Sequence, residues 1–406
     1  MAQFQETAKL TNNLAGLKYE LNSYWSALST ECCSMLFIFT VTRLMAEQES
    51  SILTLGIFGG ISSISYAVGA AIGGRLSDLW SVRQVITLGT IIQIMAMLAC
   101  IQWHASNHSL YLIAALSGSA IGCIHPPIIA GLTKGGLTRL GTKLTSTRLY
   151  RYSLSWNLGL IGGQTGGGWL FPINPTLPLI AGILLMVGVL ILVRLNHTFT
   201  MPVSETMYRE DSVVPKEART FVYLGWLANI SGAMGMSTII HLFPHLAHEL
   251  AISPPVHGIM LAANRIMVLI TYSLMHSLTF WRYRFSATLF VQLSALIGLI
   301  LLTYGQTVIF LTIGLLLFAL LTGFNYFSSI FYSTTSFSWT HQGMVSGLHE
   351  ASLAFGFAAG AFGGGIVGLR LGSRGPYQMV AVVLVLTALI QFGVYINMRR
   401  HQNLRD

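Results

Sequence analysis

Charge is what this chain has least of. Lys, Arg, Asp and Glu supply 9% of its 406 residues, where a soluble globular domain carries about a quarter. With 53% apolar residues, that scarcity excludes an ordinary water-soluble domain. Cysteine is scarce too: Cys32, Cys33, Cys100 and Cys123 are the only four, all inside apolar runs. No disulfide framework or Cys-based metal motif follows from them. No nucleotide-binding P-loop interrupts the apolar runs, which excludes an ATP-driven pump. No Ser/His or Asp/Asp spacing stands out as a nucleophile with its base, so the chain is not read as an enzyme, and no cofactor is expected. His241, His245 and His248 follow at intervals of four and three, but Pro244 interrupts them, and no metal site is expected. No cleavable signal is expected, because the first apolar run begins only after about 24 largely polar residues.

What is present is a series of apolar runs, each about as long as the ~20 residues that cross a bilayer as a helix. Twelve are readable: 26–44, 52–73, 85–102, 109–131, 152–171, 178–196, 220–243, 256–279, 286–304, 308–333, 344–369 and 377–398. An even number puts both termini on one side. Placing them in the cytoplasm assigns eighteen of the 22 Lys and Arg residues to that side, as the positive-inside rule requires. The net charge of +9 is then a basic membrane face and calls for no nucleic acid. The expected location is a cell inner (plasma) membrane.

Residues 1–24 place Leu10, Leu14, Leu17 and Leu21 at helical spacing among charged residues, the pattern of an amphipathic lead-in on the cytoplasmic surface. Two six-span bundles, 25–196 and 220–398, are joined by a cytoplasmic linker at 197–219, with a tail at 399–406. The halves repeat. Ser155, Gly159, Gly163 and Gly167 recur as Ser352, Gly356, Gly360 and Gly364, each displaced by 197 residues, and both runs end in a triple glycine. Small residues at every fourth position let two membrane helices approach closely; chance packing does not explain the common displacement. A fainter echo relates Trp80-Ser81-Val82-Arg83 to Trp281-Arg282-Tyr283-Arg284.

Between the second and third spans lies Gly74-Arg75-Leu76-Ser77-Asp78-Leu79-Trp80-Ser81-Val82-Arg83-Gln84, read as a glycine-led turn. It resembles the loop between helices 2 and 3 of the major facilitator superfamily, roughly G-x-L-[AGS]-D-[RK]-x-G-R-[RK]. Gly74, Leu76, Ser77, Asp78 and Arg83 match; Leu79, Ser81 and Gln84 depart from it. With twelve spans, duplication and the span 5 stripe, the resemblance covers essentially the whole chain. It implies an all-α polytopic membrane protein with twelve transmembrane helices in two pseudo-symmetric six-helix bundles, rocking about a central cavity. It also implies that the span 5 and span 11 stripes lie at the contact between halves, and that Gly74, Asp78 and Arg83 gate the cytoplasmic side.

An ion in mid-bilayer costs at least ~2.5–3.5 kcal/mol on insertion scales, so each one needs a partner or a wet cavity. Three stand out: Glu31 in span 1, Arg265 in span 8 and Glu350 at the start of span 11. Glu31 and Glu350 are candidates for proton coupling. Arg265 is a candidate for binding an anionic group, or for pairing with Glu350 or Glu31. His125, Asn325 and Tyr326 complete the substrate-binding candidates, while Tyr332 extends the polar-aromatic stretch. The reading is a proton-coupled secondary transporter moving a small anionic or zwitterionic organic solute by alternating access, with protons and membrane lipid as its other partners and a monomer as its state. The alternatives are a proton-driven exporter of amphipathic or drug-like compounds, against which the missing span 4 Arg counts, and a non-transporting sensor or scaffold of the same fold.

Overall fold

A computed structural model describes the backbone of residues 2–103, 106–133, 139–195, 218–336 and 342–403. Thirteen helices occupy the described residues: α1 Ala2–Glu47, α2 Ile52–Leu79, α3 Val82–Trp103, α4 Asn107–Thr133, α5 Arg139–Leu170, α6 Leu177–Leu195, α7 Ala218–His241, α8 Phe243–Glu249, α9 Pro254–Ser277, α10 Phe285–Tyr304, α11 Val308–Ser336, α12 Gln342–Leu371 and α13 Gly375–Asn403. Helices suit such a sequence because each satisfies its own backbone hydrogen bonds where lipid offers none. Ten of them contain stretches long and apolar enough to cross a membrane. Glycines and polar side chains dilute the hydropathy of α5 and α7, and α8 is too short. The linker expected at 197–219 lies almost wholly outside the described residues, as do the side chains of Leu10 and Leu14; the lead-in runs into α1 without a break.

The chain divides into two compact units. The first takes in residues 1–37, 65–166 and 174–212; the second takes in 38–64, 167–173 and 213–406. Within the first, α3 packs on α4 and α6; within the second, α10 packs on α11 and α13, the same adjacency repeated.

The repeat extends into turn geometry. Glu49 (φ 56°) and Ala251 (φ 52°) both take the left-handed conformation, 202 residues apart in the sequence. Around them the backbone bonds coincide: Ser50 N–H to Met45 O at 2.9 Å matches Ile252 N–H to Ala247 O at 2.8 Å. Helix α8 is therefore the counterpart of the last turns of α1. It is separate because Pro244 lacks an amide proton and cannot continue the ladder from α7.

The glycine stripes face their own halves, contrary to the contact between halves that the resemblance implies. A Cβ on Gly159 would land on Leu28 O and one on Gly163 on Cys32 O, both of α1; on Gly356 and Gly360 it would land on Ile230 O and Met234 O of α7. The four partners are related by the displacement of 202 residues. The adjacent residue of each triple glycine turns the other way. Gly168 lies against Pro254 and Gly258 of α9, and Gly365 against Ile52 and Gly56 of α2, again one contact made twice.

The expected glycine-led turn is also corrected. Helix α2 runs through Gly73 and Gly74 to Leu79, and the reversal is confined to Trp80 and Ser81. Gly73 serves packing instead, since a Cβ there would sit 2.6 Å from Cys123 Cα. Two of the departures from the superfamily pattern explain each other. Ser81 N–H donates to Gln84 Oε1 at 3.0 Å and Gln84 N–H donates to Ser81 Oγ at 3.3 Å, a capping box that starts α3.

Candidate functional site

The first unit holds the expected carboxylate and the expected histidine in contact. His125 Nε2 on α4 lies 2.8 Å from Glu31 Oε1 on α1, with side-chain exposures of 5% and 15%. His125 Nδ1 lies 2.6 Å from the Tyr152 hydroxyl on α5, the two rings meeting edge to face at 77°. Three helices thus meet at one imidazole. The Tyr152 contact is aligned as a hydrogen bond. The Glu31 oxygen is close to Nε2 without being aligned with it as a hydrogen bond.

Sequence and packing dictate the meeting. Gly159 brings α5 so near α1 that a Cβ would stand 3.0 Å from Glu31 Cβ. Tyr152 precedes Gly159 by seven residues, two turns, and so lies within about 20° of the same face. On α4, Pro126 follows His125 and sits against Gly74 of α2 at ordinary contact distance, 4.0 Å from where a Cβ would be. Nearer the start of α1, Glu20 Oε1 accepts from Arg148 Nε of α5 at 2.7 Å, with exposures of 12% and 21%, and Tyr24 donates to Glu20 Oε2 at 3.4 Å. Two contacts between ionisable side chains hold α1, one to α4 and one to α5.

His125, expected to touch substrate, has its ring beside Glu31 and Tyr152. Glu31, also expected as a partner for Arg265, lies beside His125. Tyr152 and the Glu20–Arg148 pair were missed by sequence reasoning. Tyr152 stands in the basic run Arg148-Leu149-Tyr150-Arg151-Tyr152, where positive charge is the louder signal; extending the glycine stripe back by two turns would have found it.

The second unit holds the remaining candidates. Arg265 is buried, 6% exposed, on α9, and Tyr272 follows it two turns on. Tyr272 in turn packs against Tyr326 of α11 with ring centroids 5.8 Å apart. Asn325 is committed to packing: its amide donates to Ala228 O of α7 at 2.8 Å, and it is 1% exposed. Tyr332 is likewise used, its hydroxyl accepting from Tyr283 N–H at 3.0 Å. Arg83 donates to Arg194 O, which ties the start of α3 to the end of α6. The side chains of Glu350 and Asp78 lie outside the described residues. No cluster of three or more metal-ligating side chains forms among the described residues.

Solved structures share this architecture across nearly the whole chain. The nucleoside transporter NupG, in a single-residue mutant form, superposes with a TM-score of 0.71 at 13% identity, covering 93% of this chain and 100% of that one. A bacterial homolog of the human lysosomal transporter Spinster, inward-facing and unoccupied, gives 0.68 at 13%, covering 94% and 96%. The human organic anion transporter MFSD10 gives 0.65 at 13%, covering 92% and 99%. No protein-family model matches the sequence, and no curated protein does. The fold is that of the major facilitator transporters, and the chain is a multi-pass, membrane-type helical protein of that architecture.

Proposed function

We propose that this protein is a proton-coupled secondary transporter that moves a small anionic or zwitterionic organic solute by alternating access. The observation that carries the reading is the buried Glu31–His125 contact at 2.8 Å. Removing two ionisable groups from water is costly unless each has a partner, and here they partner each other across two helices. Gain or loss of one proton changes the net charge of the pair by one unit. It therefore changes how readily α1 and α4 stay together, which is the differential stability a coupled carrier requires.

Arg265 serves as the anchor for the solute's carboxylate or phosphate, because its guanidinium stays charged and presents a planar fork. Tyr326, which packs on Tyr272 of the same helix as Arg265, lines the solute's path in this reading. The solutes of the structural neighbours, nucleosides and organic anions, support a small polar organic solute. In this reading both termini are cytoplasmic, the protein works as a monomer in an inner membrane, and the halves divide at 197–219.

The test is a proteoliposome assay with an internal pH-sensitive dye, in which nucleosides, organic anions and a lipophilic cation are added in turn. An active solute evokes proton flux in the native protein; Glu31→Gln abolishes that flux while leaving solute exchange without a pH gradient. Arg265→Ala abolishes the response to organic anions and spares the cation. Proton flux unchanged in Glu31→Gln overturns the coupling assignment, and organic-anion uptake unchanged in Arg265→Ala overturns the solute class.

A further inference from the structure

We infer that Tyr152 is the positioning residue of the Glu31–His125 pair, fixing which ring nitrogen of His125 carries the proton. The inference rests on the reading of that pair as the coupling site, and it adds a third member on a third helix.

A neutral imidazole has one N–H and one lone pair, and the group opposite one nitrogen decides the state of the other. A phenol is a good donor and a poorer acceptor, so beside a neutral ring it gives its hydrogen bond to the lone pair. With the Tyr152 hydroxyl 2.6 Å from Nδ1, the neutral ring accepts at Nδ1 and keeps its proton on Nε2, the nitrogen 2.8 Å from Glu31 Oε1. The carboxylate then lies beside the protonated nitrogen, off the N–H axis. Without the phenol, the other tautomer becomes available and sets a lone pair against a carboxylate.

Protonation of the ring reverses the phenol's role. The imidazolium carries N–H at both nitrogens, so Tyr152 must turn its own proton away and accept at its oxygen. The charge state of His125 is thereby read on α5, on the face that two turns later meets α1 through Gly159. The titratable groups in contact with the ring, among the described residues, are Glu31 from α1 and Tyr152 from α5. From α2, packed on α4 through Gly73 and Gly74, the charged neighbour in sequence is Arg75. The Glu20–Arg148 pair lies one turn before Tyr152 on α5.

The experiment needs no knowledge of the solute. Protein labelled with 15N-histidine is reconstituted in lipid nanodiscs, and the His125 resonances are assigned by their loss in His125→Asn. The native protein is expected to show the Nε2–H tautomer across the neutral range. Tyr152→Phe is expected to convert it to a mixture with substantial Nδ1–H and to displace the pH midpoint of the His125 titration. Glu31→Gln keeps the native tautomer, since Tyr152 is intact. An unchanged tautomer and midpoint in Tyr152→Phe overturns the inference. Should the phenylalanine variant not fold, 3,5-difluorotyrosine at position 152 preserves the shape and strengthens the donor; His125 shifts that ignore it count equally against the proposal. The coupling reading is judged separately, by proton flux in Glu31→Gln. A tautomer that responds to Tyr152 with flux that ignores Glu31 makes the phenol a keeper of a structural histidine and overturns its role in coupling.

Discussion

In the first half, Gly159 lies against Leu28 and Cys32 of α1, with Glu31 Cβ beside it; in the second, Gly356 lies against Ile230 of α7, with Ala233 Cβ beside it. Glu31 and Ala233 are 202 residues apart, the displacement that relates their helices. The backbone contact is the same, and one position carries a carboxylate where the other carries a methyl group. The second seam takes its polar tie elsewhere, from Asn229 to Ser352 Oγ at 3.0 Å. Close packing is thus present in both copies, while at this one position a carboxylate stands in the first and a methyl group in the second. A carboxylate is tolerated where α4 supplies His125; Ala233 is 2% exposed, and no such imidazole is in contact with it among the described residues.

The largest effect expected from disturbing this asymmetry is the loss of one partner. His125→Ala leaves Glu31 buried without its counter-group and costs up to about 3–5 kcal/mol while the carboxylate is ionised. Thermal unfolding in detergent should show the deficit shrinking as pH falls, since protonating Glu31 removes the uncompensated charge. A deficit independent of pH assigns the loss to packing instead. Next comes the reverse transplant. Ala233→Glu places a carboxylate in the second seam at a cost of about 2.5–3.5 kcal/mol, read as lowered folded yield and melting temperature.

Gly163→Val and Gly360→Val test the part of the comparison that is shared. Each drives a side chain onto a carbonyl, of Cys32 and of Met234, and each should lose about 1–3 kcal/mol or more. The two losses should agree; a seam that tolerates valine is not packed as its counterpart is. Asn229→Ala removes the polar tie of the second seam, at about 1 kcal/mol, and should leave proton flux unchanged. The smallest effect is at Gly188, where an added Cβ meets nothing within 4 Å. Gly188→Ala should stabilise α6 by about 0.5–1 kcal/mol.

The helices were legible because apolar length is written locally: the twelve runs correspond to α1–α7 and α9–α13, with ends displaced by a few residues except where α1 and α5 extend well beyond the apolar run, and ten of those helices are long and apolar enough to cross a membrane. The register of the repeat was legible because identical glycines stand at a fixed spacing. The direction a stripe faces was not, since Gly159 and Gly168 are the same residue type and differ only in which neighbour lies opposite. Glu31 and His125 were each visible as costly groups. Their contact was invisible, because 94 positions of sequence separate them and nothing in either segment encodes the other. Tyr152 was hidden by the basic residues around it. At 73–84, glycine suggested a turn; the capping box of Ser81 and Gln84 was present in the letters and marks where α3 begins.

The paired approaches of Gly168 to α9 and Gly365 to α2 have a mechanical consequence. Where backbone meets backbone, no rotamer has to change for the surfaces to part or to close again. Side chains seat beside the α2 contact, the Phe362 ring against Gly60 and the Ile52 side chain against Gly368. Its strength comes from many shallow dispersion contacts, each of which weakens steeply with separation.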